Sequence, residues 1–105
     1  MAAWRLLRTG PVPGPWNMAL DEAMMEALRR GLIPPTLRLY GWDPPCLSLG
    51  YFQSAKVVDL ERCQKEGVGL VRRPTGGRAV FHHRELTYSL VLSEGDPLAR
   101  GGVLA

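Results

Sequence analysis

Three proline- and glycine-rich breaks, GPVPGP at 10–15, DPP at 43–45 and GG at 76–77, cut this chain into short segments. Proline fixes φ and removes a backbone donor, so no long helix or long central strand can run through the first two. WRLLRT (4–9) alternates weakly and reads as a strand. Beyond GPVPGP, the spacing of Leu20, Ala23, Met24, Ala27 and Leu28 predicts a helix over about 17–30. Asn17 is placed to cap it, and Gly31 to stop it. Asp21 and Glu22 fall in its first turn and Arg29 and Arg30 in its last, which suits the helix dipole.

TLRLYGW (36–42) alternates strictly, with Leu37, Leu39 and Gly41 on one face and Arg38, Tyr40 and Trp42 on the other. CLSLGYF (46–52) alternates again, and an antiparallel hairpin across DPP is expected. Gly50 in that strand would permit close approach of a ligand or another backbone. VVDLERCQKEG reads as a short helix capped by Asp59 and ended by Gly67. VGLVRRPT (68–75), RAVFHH (78–83) and LTYSLVLS (86–93) read as strands. The order β-α-β-β-α-β-β-β predicts an α+β (or α/β) fold, a mostly antiparallel mixed sheet flanked by helices.

With 105 residues there is room for one domain at most. The net charge of +3 is a mild basic excess, and the tryptophans are not interleaved with a basic stripe. A nucleic-acid groove is therefore not expected. Cys46 and Cys63 form no CxxC, and His82 and His83 are adjacent rather than spaced as ligands, so no metal site is expected. The N-terminus lacks an apolar stretch of signal-peptide length and no window is apolar enough to span a bilayer. A cytoplasmic, soluble protein with reduced thiols and no membrane partner is the expectation. EGDPLARGGVLA looks like a new element opening at Asp96-Pro97 and cut short.

The chemistry-bearing stretch is RRPTGGRAVFHH (72–83). Gly76-Gly77 reads two ways. It is an ordinary hairpin turn between strands, or a loop whose uncovered N–H groups, with Arg72, Arg73 and the Thr75 hydroxyl beside them, make an anion-binding concavity. Neither a Walker A pattern nor G-x-G-x-x-G is present. On a strand, His82 and His83 point to opposite faces, so one can border a site.

VRRPTGGRAVFHHRELTYSL resembles the signature of the lipoate–protein ligase and octanoyltransferase family, the biotin/lipoate ligase catalytic domain. NMALDEAM (17–24), CLSLGYFQ (46–53) and DLERCQKEGVGLVRRPTGG resemble further segments of that family in the same order. The resemblance covers essentially residues 4–105 and implies a class II synthetase-like, biotin-ligase-like fold, incomplete here, with this chain as the N-terminal part of the domain. It implies an acyl pocket lined by Arg72, Arg73, Thr75, Gly76, Gly77, Arg78, Ala79 and His82. Gly50 and Gln53 match a second segment at that pocket. Tyr88 and Ser89 match a strand crossing behind it.

Adenylating members carry a third glycine where Arg78 stands, so the loop is closer to the octanoyltransferase branch. That branch implies octanoyl transfer from an acyl-carrier-protein thioester to the lysine of lipoyl domains, such as dehydrogenase E2 subunits and the glycine-cleavage H protein, with no cofactor. The alternative is an ATP- and Mg-dependent lipoate–protein ligase. A non-catalytic binding subunit is a third reading. No residue here matches the family's later lysine or its nucleophilic cysteine. Lys56, Lys65, Cys46 and Cys63 stand elsewhere, so the chain alone is expected to be inactive.

Overall fold

A computed structural model describes residues 3–93 and Gly95; Asp96-Pro97, read above as a new element, lies outside the described residues. The elements are β1 (Arg5–Arg8), α1 (Gly14–Arg29), β2 (Thr36–Tyr40), β3 (Cys46–Leu49), a 3-10 turn (Ala55–Val57), α2 (Leu60–Lys65), β4 (Gly69–Arg72), β5 (Val80–His82) and β6 (Thr87–Val91). They form two three-stranded sheets, ordered β1-β2-β6 and β4-β3-β5. In each the central strand has one parallel and one antiparallel neighbour: β2 runs parallel to β1 and antiparallel to β6, and β3 runs parallel to β4 and antiparallel to β5. Helix α1 packs on β4 and β6, one strand from each sheet, and α2 packs on β4. Mixed sheets flanked by helices are the fold class expected, but the pairings divide evenly, two parallel and two antiparallel, rather than being mostly antiparallel.

The pairing departs from the hairpins expected. β2 and β3 belong to different sheets and do not pair. Both edges of β3 are taken by β4 and β5, and β2 lies between β1 and β6. Period-two alternation says that a segment is a strand but not which strand it meets. The hairpin reading of Gly76-Gly77 fails for the same reason, since β3 separates β4 from β5. The segment between them is an open loop passing over the end of β3.

Helix α1 begins three residues earlier than its periodicity suggests, at Gly14, with no side-chain cap and a proline in its first turn. Pro15 suits that place, because its missing N–H would have no partner there anyway. Asn17 is therefore not a cap, and Asp21 lies beyond the first turn. Gly14, Asn17, Met18, Asp21 and Met24 form the buried face. Of the apolar residues that suggested the helix, Ala23 is exposed and Leu20, Ala27 and Leu28 are half-buried.

That face meets the side of β2 that carries Thr36, Arg38 and Tyr40, all buried. Arg38 has no exposed surface. Its Nη1 donates to Asp21 Oδ1 at 2.9 Å and to the Asn17 carbonyl at 3.2 Å, its Nη2 to Asn17 Oδ1, and its Nε to Thr9 Oγ1 at 3.0 Å. The guanidinium carbon sits 3.8 Å from the Tyr40 ring centroid. Asp21 is held further by Ser89 Oγ at 2.8 Å, so one ion pair links α1, β2 and β6. Asn17 Nδ2 donates to the Gly41 carbonyl at 2.8 Å. A buried pair survives only with its remaining donors and acceptors satisfied, and here they are.

The apolar core is Met18, Tyr40, Trp42 and Cys46, with Val71 against it. Cys46 is fully buried, and burial pushes its thiol up from 9.0 to about 11. The thiolate is the reactive form, so Cys46 is a packing residue. We expect iodoacetamide at neutral pH to label Cys46 at least about tenfold more slowly in the folded chain than in urea, as a thiol pKa raised by about two units implies. Mass spectrometry of tryptic peptides measures it; equal rates would refute the burial.

Candidate functional site

Strand β6, helix α1, the end of β2 and the segment Arg73–Thr75 enclose a cavity of about 230 Å³. Its apolar walls come from Met18, Met25, Trp42, Leu90 and Val91, and its polar ones from Asp21, Arg73, Thr75, His82, Thr87 and Ser89. The volume lies under the range of about 300–1,000 Å³ usual for drug-sized ligands, so a small ligand suits it.

Of the residues singled out by sequence, Arg73, Thr75 and His82 line the cavity. Arg72, Gly50 and Gln53 brace the loop, and Gly76, Gly77, Arg78 and Ala79 form it. Arg72 reaches back with Nη1 to the carbonyls of Gly50 at 3.0 Å and Tyr51 at 3.1 Å, and to that of Gln53. The Gln53 side chain closes the same turn, its Oε1 accepting from Gly50 N at 3.2 Å. Tyr51 N donates to the Thr75 carbonyl at 2.9 Å, which ties this turn to the glycine loop.

Gly50 faces the backbone of Gly77 so closely that a Cβ on it would stand 1.9 Å from the Gly77 carbonyl oxygen. Gly77 itself has φ +98°, a region that disfavours side chains. The paired-glycine motif is thus half of a glycine–glycine contact with a strand end far away in sequence. Gly76, by contrast, faces open space.

Arg73 Nη2 donates to the carbonyls of Gly76 and Arg78, each at 2.9 Å, and Nη1 donates to Ser48 O at 2.8 Å and Ser48 Oγ at 2.7 Å. In a trans peptide the N–H points opposite to the C=O. Drawing those two carbonyls toward Arg73 therefore turns the N–H groups of Gly77 and Ala79 away from it. Arg78 is exposed.

His82 is buried and His83 exposed, the split expected on a strand. The His82 ring stacks on Trp42 with centroids 4.1 Å apart and 12° between planes. Its Nδ1 lies 3.0 Å from Glu85 Oε2 and its Nε2 2.7 Å from Ser48 Oγ. Thr87 Oγ1 donates to the same Glu85 oxygen at 2.6 Å and accepts from Trp42 Nε1 at 2.8 Å.

Burial would raise the Glu85 carboxyl, but hydrogen bonds from Thr87 and His82 outweigh it and hold it below its ordinary 4.5. A depressed carboxyl stabilises the fold above its unfolded value and stops doing so as pH falls through the folded one. The urea midpoint of the native chain should exceed that of Glu85→Gln near neutral pH, and the gap should close below 4.5. A gap that widens in acid would contradict this.

Sequence reasoning missed Met18, Met25 and Trp42 as walls and assigned Tyr88 and Ser89 a place behind the pocket, whereas both line it. Met18 could have been found at the helical offset from Met25; nothing local marked Trp42.

Residues 13–102 match the family model described as the lipoyl protein ligase A/B catalytic domain. The chain is 62% identical over 104 residues to an octanoyltransferase of Kyrpidia tusciae, a match covering 98% of this chain and 38% of that protein. It is 60% identical over 102 residues to an octanoyltransferase of Symbiobacterium thermophilum, covering 96% of this chain and 36% of that one. A solved structure from T. acidophilum, assigned as a lipoate protein ligase and holding lipoic acid, superposes with TM-score 0.79 at 37% identity, over 97% of this chain and 42% of that one. The chain thus spans less than two-fifths of the length of these curated relatives.

Proposed function

We infer the function from one premise: the chain belongs to the lipoyl protein ligase A/B catalytic domain family. Its role is to supply the acyl pocket of an enzyme that transfers octanoyl groups during protein lipoylation. The observation that carries this is the cavity itself, apolar along Met18, Met25, Leu90 and Val91 and closed at one end by the Arg73–Thr75 segment. A saturated chain fills the first part, and its carbonyl end meets the second.

Negative charge that develops on that carbonyl oxygen is met by the Arg73 guanidinium and the Thr75 hydroxyl, both residues of the cavity wall, while Arg73 also holds the glycine loop through the Gly76 and Arg78 carbonyls. Arg72, Gly50 and Gln53 hold the loop in place, Gly76 leaves its rim open, and Arg78 adds charge at that rim. The donor we assign is an octanoyl thioester of acyl carrier protein and the acceptor a lipoyl-domain lysine, without ATP or metal. Identity to the two octanoyltransferases exceeds that to the T. acidophilum protein by more than twenty percentage points, which favours transfer over ATP-dependent ligation.

The test is a longer protein that contains this chain, given an octanoyl carrier-protein thioester and a lipoyl domain. Octanoylation of the lipoyl domain without ATP is expected. Modification that requires ATP and free acid would instead assign the ligase reaction, and no modification under either condition would overturn the reading.

A further inference from the structure

The hydrogen-bonded chain behind the cavity wall fixes the state of His82, and through it the glycine loop. The Glu85 carboxylate is an acceptor only, so its 3.0 Å contact places a proton on His82 Nδ1. At the other side, Ser48 Oγ already accepts from Arg73 Nη1 at 2.7 Å. Ser48 is fully buried, and among the described residues its own hydrogen meets one acceptor, His82 Nε2, 2.7 Å away; an Nε2–H there would leave that hydrogen unpaired. The arrangement that pairs the buried hydroxyl as well has Nδ1–H directed to Glu85 and a bare Nε2 accepting from Ser48.

Both ring nitrogens are thereby occupied, so neither is free to bond a ligand in the cavity. Beyond Glu85, Thr87 and Trp42 complete a closed ring of contacts, since Trp42 also stacks on His82. Beyond Ser48, Arg73 holds the carbonyls of Gly76 and Arg78.

We propose that Glu85 and Ser48 are positioning residues that lock His82 as the Nδ1–H tautomer and so couple the cavity wall to the glycine loop. Neither residue lines the cavity. Glu85 sets the tautomer from one side; Ser48, with no exposed surface, passes the constraint to Arg73 from the other. The inference bears on the same site as the acyl-pocket reading, but its test needs neither acyl donor nor acceptor, so either can fail alone.

The experiment is two-dimensional ¹⁵N–¹³C correlation of the imidazole in the ¹⁵N-labelled chain at neutral pH. The expected spectrum shows a pyrrole-type Nδ1 and a pyridine-type Nε2 for His82, while solvent-exposed His83 gives a reference. A pyridine-type Nδ1 in the unmodified chain would overturn the proposal without any mutant. Removing both contacts, in Glu85→Ala with Ser48→Ala, should release His82 toward the Nε2–H form, and a native-like imidazole spectrum in that folded double variant would also overturn it.

Ser48→Ala should keep the tautomer, held by Glu85, yet loosen the loop. The Tyr51 amide, bound to the Thr75 carbonyl, should then exchange with solvent about tenfold faster or more, the scale of losing one charge-assisted hydrogen bond. Unchanged Tyr51 exchange in a folded Ser48→Ala chain would break the proposed coupling. Ser48→Thr, which retains the hydroxyl, should restore slow exchange.

Discussion

Arg38→Met is expected to destabilise the chain by about 3–5 kcal/mol, since it leaves the Asp21 carboxylate buried without its cation. The guanidinium also closes contacts to Asn17 and Thr9, so no neighbour can take over its role. For a chain of this size the loss corresponds to a fall in Tm of roughly 15 °C or more. The paired replacement Arg38→Met with Asp21→Leu should recover part of it, because the largest penalty is the unpaired charge rather than the lost bond. Thermal unfolding followed by circular dichroism measures both. A fall of under about 1 kcal/mol for Arg38→Met would mean that the pair is solvated, contrary to its burial.

Gly50→Ala should cost about 2–3 kcal/mol, the scale of forced overpacking, because the methyl would meet main chain rather than a movable side chain. The Cβ would stand 1.9 Å from the Gly77 oxygen and 2.8 Å from the Gly77 carbonyl carbon. Either the loop lifts or β3 bends, and the loop is the softer of the two. Lifting it breaks the Arg73 contacts to Gly76 and Arg78, so the N–H groups of Gly77 and Ala79 lose their orientation. Gly76→Ala is the control: no atom lies within 4 Å of its Cβ, and its φ is not positive. It should change stability by less than about 0.5 kcal/mol. Equal effects at the two positions, measured by urea unfolding, would remove the close-approach account.

The elements of this fold were legible because each segment carried a local signal. Alternation marked β2, β3 and β6, and the Asp59 side chain caps α2 by accepting from Arg62 N as expected. Strand partners were not legible. β3 lies between β4 and β5, and nothing in CLSL says so.

The start of α1 was misread because Asn17 is a good cap residue whose side chain was wanted elsewhere, at Gly41 and Arg38. The buried face of β2 was hidden for a related reason. It carries Thr36 and Arg38, and a sequence cannot show that an arginine will find Asp21 across a helix. The loop itself was found through its glycines and arginines, and Arg73, Thr75 and His82 do border the cavity. What the motif could not convey is that Arg72, Gly50 and Gln53 brace the loop through main-chain contacts. Those contacts join positions about twenty residues apart, and only the fold brings them together.

The most direct test of the acyl-pocket account is titration of the chain, ¹³C-labelled at the methionine methyls and uniformly ¹⁵N-labelled so that the indole and every backbone amide also report, with octanoate and with acetate. The account predicts that octanoate shifts the Met18 and Met25 methyls and the Trp42 indole signal, while acetate at the same concentration leaves them in place. Octanoate shifts confined to exposed apolar residues such as Phe52 and Leu86, with Met18 and Met25 unmoved, would contradict it.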